Sequence, residues 1–388
     1  MIFKTIIMAK KSVFILGAGL IGRPMALDLV RNNEFEVGIA DISPKALERF
    51  KGTSIRTYES DLRDTESWIS IASGYDYLIN AVPGFMGFGT LKAMIQLGKP
   101  IVDIAFYPED PLSLSEYAVE NNSCVICDMG VAPGMSHLLS GFAASQLKKM
   151  TSLIIYVGGL PVVRQLPWQY KAVFSPSDVI EEYTRPARLI ENGKIVFKEA
   201  LSDSEFIDFK LPGTLEAFNS DGLRSLVYTL EADFMAEKTL RYPGHIDLIK
   251  SLKKSGFFDE SAIKVNGNEV IPLEFTKTML FDQWKLADGE ADLTVMRIVA
   301  EGQDAEGATK KISFDLYDQP DPSTGIHSMA RTTGYAATSA LRMIDAGLLH
   351  KPGIHMPEFL GKNQSIVEFI LNDQQTKGIV YISNIETL

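Results

Sequence analysis

The sequence predicts an α/β protein in which a doubly wound parallel sheet is followed by a second α/β domain on a mixed or antiparallel sheet. Three observations predict it. Short β-rich runs alternate with helical patterns through the first third of the chain, and after about residue 135 longer β-rich runs replace them. The 388 residues are 46% hydrophobic and 22% charged, an ordinary globular composition with length for two or three domains.

In chain order, residues 12–17 form a near-continuous apolar strand and 23–31 the helix after it. Residues 36–41 are a second strand, and Ser43 with Pro44 reads as an N-cap followed by proline at the first helical position. Further strands fall at 76–81, 100–105 and 123–128, separated by helices at 91–97 and 114–121. Strands and helices at this spacing imply parallel pairing through right-handed crossovers. Later, 153–158 is β-rich, and 292–300 and 311–318 flank a Gly- and acid-rich turn at 301–307, the pattern of a hairpin. Residues 247–252 read as helix, and from Gly325 the chain is helical again up to Ala346.

Lys and Arg total 38 and Asp and Glu 49, a net charge of −11, which excludes the basic stripes that nucleic acid or an anionic membrane surface requires. Cys124 and Cys127 are the only cysteines, too few for a disulfide framework, so a reducing cytoplasm is expected. They match C-x-x-C, but in a strand residues three apart face opposite sides, so core packing is expected rather than redox chemistry. The apolar start, Met1 to Ile7, is too short to span a bilayer and carries no small-residue cleavage site; Met8 is an alternative start. The weakly charged stretch 129–147 reads as buried or site-lining rather than membrane-spanning.

Gly17-Ala18-Gly19-Leu20-Ile21-Gly22 fits GxGxxG directly after a strand and before a helix. The first glycine makes the tight turn, the second admits a pyrophosphate, and the third lets helix and strand pack closely. The helix N-terminus then offers free N–H groups to phosphate. Asp41 ends the next strand 22 residues after Gly19, where an acid accepts hydrogen bonds from ribose hydroxyls and repels a 2′-phosphate. With no arginine following it, NAD is expected over NADP in a Rossmann-type domain. Asp61, Leu62, Ala81, Val82 and Pro83 complete the candidate cofactor contacts beside Gly17, Gly19, Leu20, Ile21, Gly22 and Asp41. The domains expected are 1–134 for the dinucleotide, 135–324 for substrate and dimerisation, and 325–388 returning to the first.

Ligands in doubly wound sheets lie beyond the carboxyl ends of the strands. That rule points to 80–84, 103–107 and 128–134, and to Asp103, Asp128 and His137 as candidate proton acceptors. Asp103 and Asp128 equally suit turn caps, and His137 a hydrogen-bonded core histidine. The remaining histidines are scattered, so no metal site is expected.

Several longer runs are more specific: Asp128-Met129-Gly130-Val131-Ala132-Pro133-Gly134-Met135-Ser136-His137, Gly158-Gly159-Leu160-Pro161, Trp168-Gln169-Tyr170-Lys171 leading to Phe174-Ser175-Pro176, Glu182 to Ala187, Thr239-Leu240-Arg241-Tyr242-Pro243-Gly244-His245 and Ser328 to Tyr335. With GAGLIG they resemble the saccharopine dehydrogenase family, and within it the L-lysine 6-dehydrogenase branch, over nearly the whole chain. The resemblance implies an NAD(P)-dependent oxidoreductase acting on a C–N bond of an amino acid, with a second domain that contributes substrate contacts and a homodimer or larger homo-oligomer interface. It implies that Arg241 and Tyr242 recognise a substrate carboxylate, helped by Lys171 and Arg185. Ala132 and Val157 stand where saccharopine reductases carry an acid and a cysteine, whereas Ala132 and Asp103 fit the lysine 6-dehydrogenase pattern. The expected reaction is oxidative deamination of L-lysine at the ε-amine, releasing ammonia and 2-aminoadipate 6-semialdehyde. The alternatives are oxidation of a secondary amine such as saccharopine, and a non-catalytic NAD-binding sensor or scaffold.

Overall fold

The computed structural model describes residues 10–173, 176–287 and 289–388. The readings of the first nine residues and of Phe174-Ser175 lie outside them. The chain divides into two compact units, one running to Gly130 and resumed at Thr333–Pro357, the other Val131–Thr332 with Glu358–Leu388.

In the first unit, β1 (Ser12–Leu16), β2 (Glu36–Asp41), β3 (Arg56–Glu59), β4 (Tyr77–Asn80), β5 (Ile101–Asp103), β6 (Cys124–Ile126) and β17 (Gly353–His355) form, among the described residues, a seven-stranded sheet. Every pairing in it is parallel, in the order β17-β6-β5-β4-β1-β2-β3. The order reverses between β1 and β4, the switch point at which such sheets bind ligands. Its strands read as apolar runs because both faces are covered. Phe14, Leu16, Leu78 and Ile101 join Trp68, Met94 and Ile354 in one buried cluster.

The expected helix at 91–97 is longer, Gly84–Ile95, although Gly84, Gly87 and Gly89 suggest a loop. A Cβ at Gly84 would lie 1.9 Å from the Phe106 carbonyl oxygen, and one at Gly87 would lie 2.6 Å from Ala105 Cβ. Glycine is there so that the helix can lie on the chain leaving β5, a tertiary demand that outweighs its helix propensity. The pair Cys124 and Cys127 is free and buried, with burial pushing the Cys124 thiol up to about 11.

The second unit adds β7 (Lys149–Pro161), β8 (Ala187–Glu191), β9 (Lys194–Lys198), β10 (Glu205–Asp208), β11 (Thr214–Asn219), β12 (Phe234–Arg241), a small hairpin of β13 (Ile263–Val265) and β14 (Asn268–Val270), β15 (Asp292–Gln303), β16 (Thr309–Asp318) and β18 (Tyr381–Thr387). Among the described residues its main sheet has nine strands, mixed because β12 and β7 run parallel while β15 and β16 pair antiparallel as the expected hairpin. Tyr156, Leu160, Leu240 and Tyr242 pack on one face. Tyr170, Tyr183, Phe218 and Trp284 build a separate core with the helices His245–Lys254 and Pro272–Trp284.

The segment 325–388, expected to return whole to the first domain, is divided. Gly353–His355 extends the parallel sheet, whereas Tyr381–Thr387 pairs with β16 in the second. A three-residue strand carries no periodic signal, and the choice of edge for β18 is set by which strand stands unpaired. No helix among the described residues is long and apolar enough to cross a membrane.

Candidate functional site

The glycine loop has the geometry the sequence implies. Gly17 has φ +106°, its N–H bonds Ala40 O at 2.9 Å, and a Cβ there would lie 2.4 Å from Ala81 O. A Cβ at Gly22 would lie 1.8 Å from Gly17 O, so helix and strand can close only on glycine. At Gly19 nothing lies within 4 Å of the same position, leaving bare backbone for a ligand to approach. Ile21 stands at the N-cap of the Gly22–Val30 helix without a side-chain cap, and no acid occupies the first turn. An uncapped N-terminus beside bare backbone suits an anionic diphosphate.

Asp41 closes this loop. One carboxylate oxygen accepts the Ala18 N–H at 2.7 Å and the other the Ser43 N–H at 2.8 Å. Each oxygen keeps a second lone pair, so the group can still accept from ribose hydroxyls. Leu20 is exposed, Val82 belongs to the core, and Pro83 stands at the N-cap of the next helix. Asp61 is exposed and forked by Arg63 at 2.6 and 2.9 Å, hydrogen bonds that hold its carboxyl down at about 2. Leu62 packs against the core and accepts the Trp68 indole N–H.

Asp103 and Asp128 come together at the ends of β5 and β6, where the Met129 N–H bonds the Asp103 carbonyl. Asp103 is wholly buried, accepting the Ala105 N–H and the Tyr107 hydroxyl, each at 2.9 Å. Burial and the adjacent Asp103 carboxylate raise the Tyr107 hydroxyl far above its ordinary value, so it stays a donor. Asp128 is buried at φ +54°. His137 belongs to the second unit, on the helix Met135–Ser145. Its Nε2 lies 3.1 Å from Leu223 O, which can only accept, so Nε2 carries the proton and Nδ1, 3.0 Å from Ser136 Oγ, accepts. Asp103 therefore caps the turn after β5 and His137 is hydrogen-bonded within the core.

Arg241 and Tyr242 do not converge, because neighbours on a strand face opposite sides. The Arg241 side chain is buried, 2.5 Å from Glu182 and 3.0 Å from the Tyr183 hydroxyl, with its guanidinium carbon 4.3 Å from the Tyr170 ring centre. Tyr242 packs on the other face and donates to Pro161 O at 2.9 Å. Arg241 thus already has a carboxylate partner, Glu182, whose side chain is 26% exposed. Lys171 lies 3.7 Å from Glu290 and Arg185 3.0 Å from Glu181.

Sequence reasoning passed over three groups here. His245, between Tyr183 and the Trp168 carbonyl, is driven down to about 3 by burial and by Arg241. Glu237 lies on the Arg241 face of β12, accepting Ser220 Oγ at 2.6 Å while Ser220 lies 2.7 Å from Thr239 Oγ1; burial pushes its carboxyl up to about 8. Asp292 and His327 stand 3.4 Å apart where β15 begins. Only the alternation along β12 could have placed Glu237 with Arg241; 35 residues separate Asp292 from His327, and no local pattern joins them.

Comparison with known proteins bears on the whole chain. Residues 13–126 match the saccharopine dehydrogenase NADP binding domain and 130–379 the saccharopine dehydrogenase C-terminal domain. The chain is similar to saccharopine dehydrogenase (NADP(+), L-glutamate-forming) of Schizosaccharomyces pombe, 27% identical over 321 residues, 78% of this chain and 67% of that one. It is 29% identical over 300 residues to alpha-aminoadipic semialdehyde synthase of Arabidopsis thaliana, covering 66% of this chain but only 28% of that larger protein. The fold matches apo saccharopine dehydrogenase (L-Glu forming) of Saccharomyces cerevisiae with a TM-score of 0.81 at 19% identity, over 97% of this chain and 100% of that one. The glycine loop, the two sheets and these matches over both parts of the chain agree: the chain belongs to the saccharopine dehydrogenase family.

Proposed function

We propose that the chain oxidises the ε-amine of L-lysine with NAD to an imine, which water hydrolyses to release ammonia and 2-aminoadipate 6-semialdehyde. The observation that carries the cofactor choice is Asp41, a carboxylate tied into the glycine loop by the Ala18 N–H. It offers acceptors to a ribose diol and like charge to a 2′-phosphate. The matching domain is described as NADP binding and a relative is named for NADP(+), so the choice of NAD rests on Asp41 alone. Ala132 and Val157 support lysine over saccharopine, since apolar side chains stand where a polar pair is expected for the secondary amine.

When bound, the nicotinamide supplies the hydride acceptor. The uncapped helix end at Gly22 would hold the diphosphate and Asp41 the ribose. In the substrate domain each of these cations has a glutamate partner, Arg241 the tightest at 2.5 Å and Lys171 the loosest at 3.7 Å, so Lys171 is the cation we assign to the substrate carboxylate, with Arg185 a further contributor. The ammonium must lose a proton before its carbon can release hydride, because a protonated nitrogen has no lone pair to form the C=N bond. The second unit's sheet is the element we assign to a homodimer, and two free, buried cysteines support a reducing, cytoplasmic setting.

The relatives' names favour one competing reading, oxidation of saccharopine with release of glutamate. Purified protein offered L-lysine or saccharopine with NAD or NADP separates them. Ammonia with NADH supports the lysine reading; glutamate supports the other; no reduction with any amino acid leaves a binding protein.

A further inference from the structure

Asp292 begins β15 and is wholly buried. Its two oxygens accept the Ser328 N–H at 2.7 Å and the Met329 N–H at 2.9 Å, which holds the carboxylate rigidly at the start of the helix Ser328–Asp345. His327, the residue before that helix, brings Nδ1 to 3.4 Å from the Asp292 oxygen. That nitrogen is buried and makes no hydrogen bond among the described residues, the 3.4 Å contact with Asp292 being too loose for one, while 38% of the side chain is exposed, so the exposed part of the ring lies away from Nδ1. A fixed carboxylate behind one imidazole nitrogen and an open position at the other is the arrangement of an oriented proton acceptor. Such contacts are commonly long before substrate binds and shorten as the ring becomes cationic.

The dyad shares one end of the second sheet with groups already named. Asp292 pairs with Pro161, the last residue of β7, whose carbonyl accepts the Tyr242 hydroxyl. Ala291 O accepts the Val162 N–H, and Glu290, one residue earlier, lies 3.7 Å from Lys171. A cation for a carboxylate and a base for an ammonium therefore emerge at the same sheet end. Resting on the reading of the chain as an amine dehydrogenase, we propose that His327, oriented by Asp292, is the catalytic residue that accepts the substrate's ammonium proton. The N–H bond of the ammonium breaks, its electron pair stays on nitrogen, and the proton forms a bond to Nε2. Nδ1–H then faces Asp292, and the imidazolium later returns its proton to solvent. The charged groups around the dyad are Asp318 on β16, Arg331 on the helix and Asp321 in the loop before it; Asp318 is pushed up to about 6 by burial and pairs with Arg331 at 2.7 Å.

The test compares wild type with His327→Ala, Asp292→Asn and, as a control at an exposed site, His350→Asn, using L-lysine and NAD across pH 6 to 10. His327→Ala is expected to lose about 100-fold or more in kcat while binding NAD unchanged, to lose the acidic limb of the pH profile, and to regain turnover with added imidazole. Because Asp292→Asn could weaken the helix it caps, its readout is the split between kcat and KM in a variant that remains folded, with kcat expected to fall about tenfold or more and KM for lysine unchanged. Unchanged kcat and pH profile in His327→Ala overturn the role of His327 alone. Failure of wild type to reduce NAD or NADP with any amino acid overturns the functional reading, and this assignment with it.

Discussion

Asp41 shows how one side chain can bear on both loop geometry and cofactor choice. Removing it leaves the Ala18 and Ser43 N–H groups without their acceptor and takes away the diol partner. Asp41→Ala is expected to weaken NAD binding about tenfold or more, as a lost charge-assisted pair implies, and to reduce the discrimination against NADP in a titration of both. Equal NAD affinity in the variant would remove Asp41 from the site. Glu237 gives a prediction of opposite character, about stability. Its carboxyl is raised from 4.5 to about 8 by burial, so between those values the folded protein holds a proton that the unfolded chain has released. Stability contributed by this group is therefore lost as pH rises from about 4.5 to about 8, and Glu237→Gln should flatten that part of the Tm profile. The Arg241–Glu182 pair is expected to behave as buried pairs do: Glu182→Gln or Arg241→Met should cost about 3–5 kcal/mol in denaturant unfolding, since either leaves a charge uncompensated.

At the scale of elements, two periodicities decide what a motif can do. The two-residue repeat of β12 sends Glu237, Thr239 and Arg241 to one face and Leu240 and Tyr242 to the other, so adjacent motif residues serve different surroundings. The glycine loop is governed by close approach instead. Gly22→Ala would force a Cβ into the Gly17 carbonyl and should abolish NAD binding along with several degrees of Tm, as read by titration and thermal melting. Ser43 is a milder case. It caps the helix Pro44–Glu48 by accepting the Ala46 N–H, as the Ser-Pro pattern predicts, and Ser43→Ala should cost about 1 kcal/mol with little change in turnover.

For the whole molecule, the family assignment spans both units. The proposed dimer predicts a sedimentation mass twice the 42.9 kDa of the chain, and a monomer with full activity would remove it. Product analysis works at the same scale. Ammonia formed in step with NADH distinguishes primary-amine oxidation from the glutamate-releasing reaction carried in the relatives' names.

By itself the sequence determined five of the seven strands of the first sheet, the GxGxxG turn, the Ser43 cap and the β15–β16 hairpin. Each rests on local chemistry: apolar runs, a glycine that alone accepts the required backbone, a cap one turn from its donor, a short turn between alternating strands. Tertiary structure decided the rest. It drew Gly353–His355 into the parallel sheet, laid the glycine-rich helix on the chain after β5, enclosed Asp103 and His137 in hydrogen bonds, and closed Arg241 against Glu182. It also placed Asp292 behind His327. These outcomes depend on which distant groups meet in a low-dielectric interior, and burial, pairing and proton affinity are set there by neighbours that no local pattern names.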